Sequence, residues 1–397
     1  MRILMIAPEP FFEPRGTPFS EYHRIRALTD LGHTVDLVTY PFGRHVTLPG
    51  LRVFRSAKPP FVERVKIGPS WAKVPLDVLL ALRAFGLAWR GAYDLIHSHE
   101  EGAAIGLALA RWLGVPHLYD MHSSLPEQLS NFSFSRSRAL VGAFRWLERR
   151  VVTRSQAVIV ICRHLEDTVR RIRADAPVVL IENAPGAGDA GPQVRENRVR
   201  AQHGLTPDDR VVLYTGTFEA YQGLSLLLDA MRIVSDRVPR ARLLLVGGHA
   251  DQIDRLRRDA ERAGVAGVTV FAGEQPAGLI PAYLQAADVL VSPRSRGTNT
   301  PLKIYQYLRA GRPIVATDLL THTQVLDPTV AVLASVTPEA FADGVVRVLT
   351  DAELAASLSR RAAELAATKY TYEAYVDRTR QALALVGAGT PTSERAA

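Results

Sequence analysis

The chain has 397 residues, enough for two domains each with its own core, and 47% hydrophobic with 22% charged residues describes a globular protein, not a disordered one. Cys162 is the only cysteine, which excludes a disulfide framework or a cysteine-based metal cluster and fits a reducing cytosol. The net charge of +8 points to an anionic partner: nucleic acid, an anionic membrane or a phosphorylated substrate.

The opening MRILMIAPEP reads directly as a strand, with no signal peptide. The most apolar stretch, Leu76–Trp89, carries Asp77 and Arg83 and is too short to span a bilayer, so a soluble or membrane-peripheral cytoplasmic protein is expected. Arg2–Ala7 is a buried strand. Thr17-Pro18 opens a helix with Tyr22, Ile25, Leu28 and Leu31 on one face, Gly32 stops it, and Thr34–Tyr40 is the next strand. This βαβ opening lacks G-x-G-x-x-G, which argues against a dehydrogenase, and puts Arg15-Gly16 at the carboxyl end of the first strand. Leu51–Ser56 is a short strand. In the segment after it, Lys58, Arg64, Lys66 and Lys73 interleave with Phe61, Val65, Ile67 and Trp71, a mixture that suits either an anionic membrane or a loop with a basic rim.

Tyr93–His99 ends in two histidines followed by Glu100, and Val115–His122 ends in Asp120 and His122 followed by Ser123. In a doubly wound sheet these ends gather with the Gly16 loop, making His99, Glu100, His122 and Ser123 candidate substrate contacts. His97 and His99 share a strand face, yet no carboxylate or third histidine stands at a recognisable ligand spacing, so no metal is expected. Arg136–Arg154 reads as a basic amphipathic helix, and Ala157–Cys162 and Val178–Glu182 as the last strands of this half. Residues 186–208, rich in Gly, Pro and charge, read as a linker between a domain of residues 1–185 and one of residues 209–368. A helix over 369–387 that could return to the first domain, and a disordered tail over 388–397, close the chain.

The second half repeats the alternation with strands at Val211–Gly216, Ala241–Gly247, Val268–Gly273, Ala287–Ser292, Pro313–Thr317 and Val330–Leu333. Their ends carry Gly216-Thr217, Gly248-His249 and Gly273-Glu274. The most informative stretch is AADVLVSPRSRGTNTPLKIYQYLRAGRPIVATD, Ala286–Asp318. Here a buried strand feeds a polar loop and a helix, with Thr300 placed as N-cap, Pro301 as first helical residue and Gly311 as C-cap. Free N–H groups at Asn299–Lys303, with Arg294 and Lys303, make an anion site suited to phosphate. The expected fold is α/β: two Rossmann-like doubly wound parallel sheets facing across a cleft that takes two ligands.

On these residues the sequence resembles the family 4 glycosyltransferases of the two-domain GT-B fold. The likeness rests on LTDLGHTVDLVT, DLIHSH and LYDMHSS in the first half. In the second it rests on VVLYTGTFEAYQGLSLLLDAM, ARLLLVGG, VTVFAG and above all ADVLVSPR with PLKIYQYLRAGRPIVAT. The resemblance implies a retaining, nucleotide-sugar-dependent transfer with no metal, consistent with the absence of a D-x-D pair. It implies that His122 matches the histidine near the transferred sugar, and Gly16 the glycine approaching the diphosphate. It also implies donor contacts from Gly216, Gly248, Glu274, Arg294, Asn299, Thr300, Pro301 and Lys303, and acceptor contacts from Arg15, His99, Glu100 and Ser123. Four positions depart from the family pattern. Its paired glutamates are here Thr298 and Gln306, and its cationic diphosphate clamp is here Thr217 and Gln222. Two readings follow: a rebuilt donor site, or a non-catalytic protein that binds nucleotide or glycan. The retained polar, cation-flanked loop favours the first. A lipid-linked or membrane-proximal acceptor in cell-envelope glycan or glycolipid synthesis would account for the basic segments, whereas a small soluble acceptor would leave them unused. Nucleic acid finds no stacking platform in the sequence.

Overall fold

The computed structural model describes residues 1–12, 16–63, 70–71, 73–127, 137–183 and 196–388. Arg15, Arg64–Pro69, Arg136, residues 184–195 of the linker region and residues 389–397 of the tail lie outside them. The chain divides into two compact units: Met1–Asn183 with the chain from Glu373 onward, and Ala184–Tyr372.

The first unit runs β1 (Arg2–Ala7), α1 (Gly16–Asp30), β2 (Thr34–Thr39), β3 (Leu51–Arg55), α2 (Lys73–Arg90), β4 (Leu95–His99), α3 (Gly102–Leu113), β5 (His117–Met121), α4 (Arg138–Arg154), β6 (Ala157–Val160), α5 (Arg163–Ile172) and β7 (Val178–Leu180). All pairings are parallel, in the order β3-β2-β1-β4-β5-β6-β7. The strands are nearly continuous apolar runs because helices cover both faces. On one face Leu4, Ile6 and Ile96 pack against Leu76, Leu80 and Leu109 of α2 and α3.

The second unit runs α6 (Glu196–Gln202), β8 (Arg210–Thr215), α7 (Leu224–Arg237), β9 (Ala241–Val246), α8 (Ala250–Arg262), β10 (Thr269–Gly273), α9 (Ile280–Gln285), β11 (Val289–Ser292), α10 (Leu302–Ala310), β12 (Ile314–Thr317), α11 (Leu320–Thr323), β13 (Val332–Ala334), α12 (Pro338–Thr350) and α13 (Ala352–Lys369). Its parallel order is β10-β9-β8-β11-β12-β13. Successive residues of β8 go to opposite cores, Val211 and Leu213 to one and Val212 and Tyr214 to the other, as the pleat requires. The last helix, α14 (Tyr372–Ala388), is tied to the first unit by an Arg378–Glu182 ion pair and by Arg24 Nη1 donating to Thr379 Oγ1 at 3.1 Å.

In both sheets the winding reverses beside the first strand, between β1 and β4 and between β8 and β11, and a doubly wound sheet binds its ligand at such a point. Between β8 and β11 only two residue pairs are in register, Val289 with Val212 and Leu290 with Leu213. Beyond them the strands part, and the Tyr307 hydroxyl of α10 enters the gap to accept from Thr215 N–H at 3.0 Å.

Candidate active site

In the second unit the loop ends of β8 and β11 and the start of α10 build one polar site. α10 begins at Leu302. Pro301 is its N-cap at φ −67° and ψ 138°, with no capping side chain, so the expected placement of Thr300 as cap and Pro301 as first helical residue is corrected. The cause is the loop before it. Gln324 Nε2 donates to Thr298 O at 2.6 Å, and Asn299 O accepts from Thr321 Oγ1 at 2.6 Å and Arg294 Nη1 at 3.0 Å. These contacts from α11 and its C-terminal side fix the loop and carry Thr300 past the cap position. The Thr300 hydroxyl is buried without a hydrogen-bond partner. No side chain caps the first turn of α10, where Ile304 N–H alone is shown bonded, to Pro301 O at 3.0 Å, an opening that an anion site needs. Gly311 ends the helix in the left-handed conformation at φ 60°, as expected.

Lys303 Nζ lies 3.7 Å from the Tyr214 ring centre, donates to Gln222 Oε1 at 3.3 Å, and would stand 3.1 Å from a Cβ on Gly216. Gln222 Nε2 in turn donates to Thr217 Oγ1 at 3.4 Å. Of the two positions where the clamp is missing, Gln222 therefore meets a cation supplied by α10, and Thr217 meets Gln222. Arg294 stacks over Tyr221 at 5.2 Å, donates to Thr321 Oγ1 at 2.8 Å, and keeps a buried Nε with no partner. Burial, and after it the charge of Arg294, hold the Lys303 ammonium well below its ordinary range; burial alone lowers Arg294. No carboxylate pairs with either cation among the described residues. Two buried cations without a counter-ion call for an anionic ligand.

Two glycines let this loop set close up. A Cβ on Gly223 (φ +74°) would fall 1.8 Å from Pro293 O, and one on Gly248 (φ +78°) 2.3 Å from the Phe218 ring. Glu274 and His249 do not join the cation cluster: they are solvent-exposed and pair with each other at 3.0 Å. Gln306 is half-buried one turn along α10 from Lys303.

The first unit assembles a second set. His122 lies just past β5, not within it, and its Nε2 sits 3.2 Å from both Asp120 Oδ1 and His99 Nδ1. Arg24 of α1 donates through Nε to Asp120 Oδ2 at 2.8 Å, and His97 Nε2 lies 3.5 Å from the same oxygen. Burial alone would raise Asp120, but Arg24 and His122 hold it well below the carboxylate range; burial pushes His99 well down. Ser123 Oγ donates to Glu100 Oε2 at 2.7 Å. Glu100 is strained at φ 46° just past β4, and burial lifts its carboxyl to about 8. Gly16 is the first residue of α1, and Arg15 lies outside the described residues. His97, His99 and Asp120 each bring a donor atom within 4.8 Å of the others, a proximity that strand spacing did not reveal. Arg24 holds Asp120 Oδ2, and Asp120 Oδ1 with His99 Nδ1 flanks His122 Nε2. Arg24 left no signal of this role in the sequence.

Residues 195–365 match the family described as Glycosyl transferases group 1, and residues 22–184 the one described as Glycosyl transferase 4-like domain. The chain belongs to the family 4 glycosyltransferases. It is 27% identical over 362 residues to a phosphatidyl-myo-inositol mannosyltransferase of Mycobacterium tuberculosis, a match covering 88% of each protein. Its fold is that of the sucrose-phosphate synthase of Thermosynechococcus elongatus (TM-score 0.78, 20% identity, 98% of this chain and 100% of that one). It is also that of Anabaena HepE, solved with UDP and glucose (TM-score 0.75, 17% identity, 96% and 99%). This glycosyltransferase is thus a nucleotide-sugar-dependent enzyme. The non-catalytic reading falls.

Proposed function

We propose that the enzyme transfers a sugar with retention of anomeric configuration, without a metal, from a uridine-diphosphate-type donor to a lipid-linked or membrane-proximal glycan at the inner face of the cell membrane. The observation that carries this reading is the pair of buried cations, Lys303 and Arg294, at the uncapped start of α10 with no carboxylate partner. The leaving group is a nucleoside diphosphate, so its departure needs positive potential and amide donors where charge develops, and α10 with these two side chains supplies both. The donor class follows the fold neighbour solved with UDP, and the acceptor class the mannosyltransferase relative. His122, held by Asp120 and His99, is the group assigned to the transferred sugar, with Glu100 and Ser123 assigned to the acceptor.

Thermal-shift screening against UDP, GDP, ADP and their sugar conjugates tests the reading. A ligand at 100 times its Kd stabilises the folded state by about 2.7 kcal/mol, a clear rise in melting temperature. One nucleotide class is expected to give that rise, and transfer to a water-soluble acceptor analogue followed by NMR is expected to give the donor's anomer. No shift with any nucleotide, or an inverted product, would overturn it.

A further inference from the structure

All four tryptophans of the chain are in the first unit and all are exposed: Trp71 by 73%, Trp89 by 78%, Trp112 by 46% and Trp146 by 61%. Tryptophan is ordinarily among the most buried residues on average, so four outward ones form a pattern. Two of them, Trp89 and Trp112, belong to one strip. α2 buries Leu76, Leu80, Ala84 and Ala88 in the core, yet its opposite side is also apolar, with Val74, Val78, Leu82, Phe85 and Trp89 exposed at helical spacing. α3 lies against α2 and extends the strip: Trp112 stacks on Trp89 at 5.8 Å between ring centres and meets Phe85 at 5.8 Å. A helix apolar all round belongs in a core or against another apolar phase.

The exposed charges on these helices and on the neighbouring α4 have one sign. Arg83 and Arg90 of α2, Arg111 of α3, and Arg145, Arg149 and Arg150 of the neighbouring α4 are all exposed. The only acidic residues on these three helices are turned inward. Asp77 accepts from the Tyr40 hydroxyl, and Glu148 accepts from Leu125 N–H at 2.9 Å. An apolar and aromatic ridge rimmed by arginines, with no exposed carboxylate on the three helices, matches the interface of an anionic bilayer: rings and aliphatic groups enter the acyl boundary, and guanidinium groups meet the headgroups. A second copy of the chain would bring the same arginines face to face, at a like-charge cost. A nucleic acid would leave Val78 and Leu82 with no base to stack on.

We propose that the exposed ridge of α2 and α3, Val74, Val78, Leu82, Phe85, Trp89 and Trp112, is an in-plane membrane-docking surface for anionic phospholipid. This rests on the membrane-proximal acceptor proposed above and names the surface that meets the lipid. α2 then lies along the bilayer for about 27 Å of helix, with its own arginines, Arg111 of α3 and those of α4, which packs on α3, as the electrostatic contact. No helix among the described residues is long and apolar enough to cross a membrane, so docking is by the face of a helix.

Vesicle co-sedimentation with tryptophan emission tests this on the full chain, using phosphatidylcholine vesicles with and without one third phosphatidylglycerol. Anionic vesicles are expected to pellet the protein and shift its emission to the blue. Neutral vesicles should bind far less. Leu82→Ser with Trp89→Ser, both exposed, should lower partitioning at least about ten-fold, with an unchanged melting temperature and nucleotide shift. Partitioning that ignores the double substitution, or no partitioning at all, overturns the proposal. So does concentration-dependent self-association abolished by the same substitutions, which would give the ridge to a second copy. If docking fails while nucleotide binding persists, this surface is wrong and the transfer reading stands; if docking holds with no nucleotide shift, the reverse is true.

Discussion

Replacing Lys303 with Met should separate stability from function. The side chain is almost completely buried, its ammonium against the Tyr214 ring and Gln222 Oε1, with Arg294 as its charged neighbour and no carboxylate in reach among the described residues. Without ligand, burial makes the charged form unfavourable. Methionine keeps most of the volume and removes the charge, so the unliganded Lys303→Met protein should melt at or above the wild-type temperature. With a nucleoside diphosphate bound, the same change removes a charge-assisted hydrogen bond worth roughly 1.5–3 kcal/mol, a rise in Kd of about ten- to more than a hundred-fold. Calorimetric titration with UDP, alongside melting without ligand, reads both halves. Unchanged UDP affinity in the variant would refute the placement of the diphosphate at α10, and a large drop in unliganded stability would refute the argument that Lys303 is held at a cost.

Three further outcomes follow from the same geometry. The folded pKa of Lys303 is depressed, by burial first and Arg294 second, and a bound diphosphate raises it, so the complex carries more protons than the free enzyme. Affinity should therefore fall as pH rises through that range, with net proton uptake seen by titration in buffers of different ionisation enthalpy; equal uptake in Lys303→Met would assign the proton elsewhere. Asp120→Asn leaves buried Arg24 without its counter-charge and should cost about 3–5 kcal/mol in chemical denaturation. Although burial opposes ionisation, Arg24 and His122 hold Asp120 well below the unfolded value, so its contribution is full above about pH 5, declines as pH falls through the carboxylate range and is gone only below the depressed folded value; a loss independent of pH would refute this. Gly223→Ala places a Cβ on Pro293 O at a left-handed backbone position and should cost at least about 2 kcal/mol together with the UDP shift, because Arg294 follows Pro293; normal melting and binding would show that the loops have room.

The strands were the legible part. Apolar runs such as LLLV and VLVS admit only a strand covered on both faces, and glycines at 32, 216, 248 and 311 marked their turns and caps. Some strands start two residues later than the apolar run, as at Leu95 and Val332; in the second case Val330 and Ala331 donate instead to Asp327 O in a turn. His122, Arg294 and Lys303 were readable as candidates because each sits at or just after a strand end or helix start. Their partners were not readable. Gln222 is 81 residues from Lys303 and Arg24 is 96 from Asp120, and no local periodicity encodes such pairs. The Thr300-Pro301 placement failed for the same reason. Local propensity favoured a cap, but Thr321 and Gln324, more than twenty residues on, hold the preceding loop instead.

The neutral residues at 217 and 222 look like a lost clamp only until Lys303 is placed. Its ammonium lies 3.3 Å from Gln222 Oε1, and Gln222 Nε2 donates to Thr217 Oγ1. A lysine at 222 would set a second ammonium near that distance, a repulsion of about 5 kcal/mol at an effective dielectric of 20, relieved when one group sheds its proton. Thr217 and Gln222 are thus what a cation entering from α10 permits, and Gln222 supplies the acceptor that positions it. Gln222→Lys, which restores the family pattern at that position, should therefore lower the melting temperature and bring no gain in UDP affinity. The double variant Gln222→Lys with Lys303→Met, which holds one ammonium again, should recover both. Strictly additive effects across that cycle would show that the two positions do not share one charge site, and the four departures would then need separate explanations.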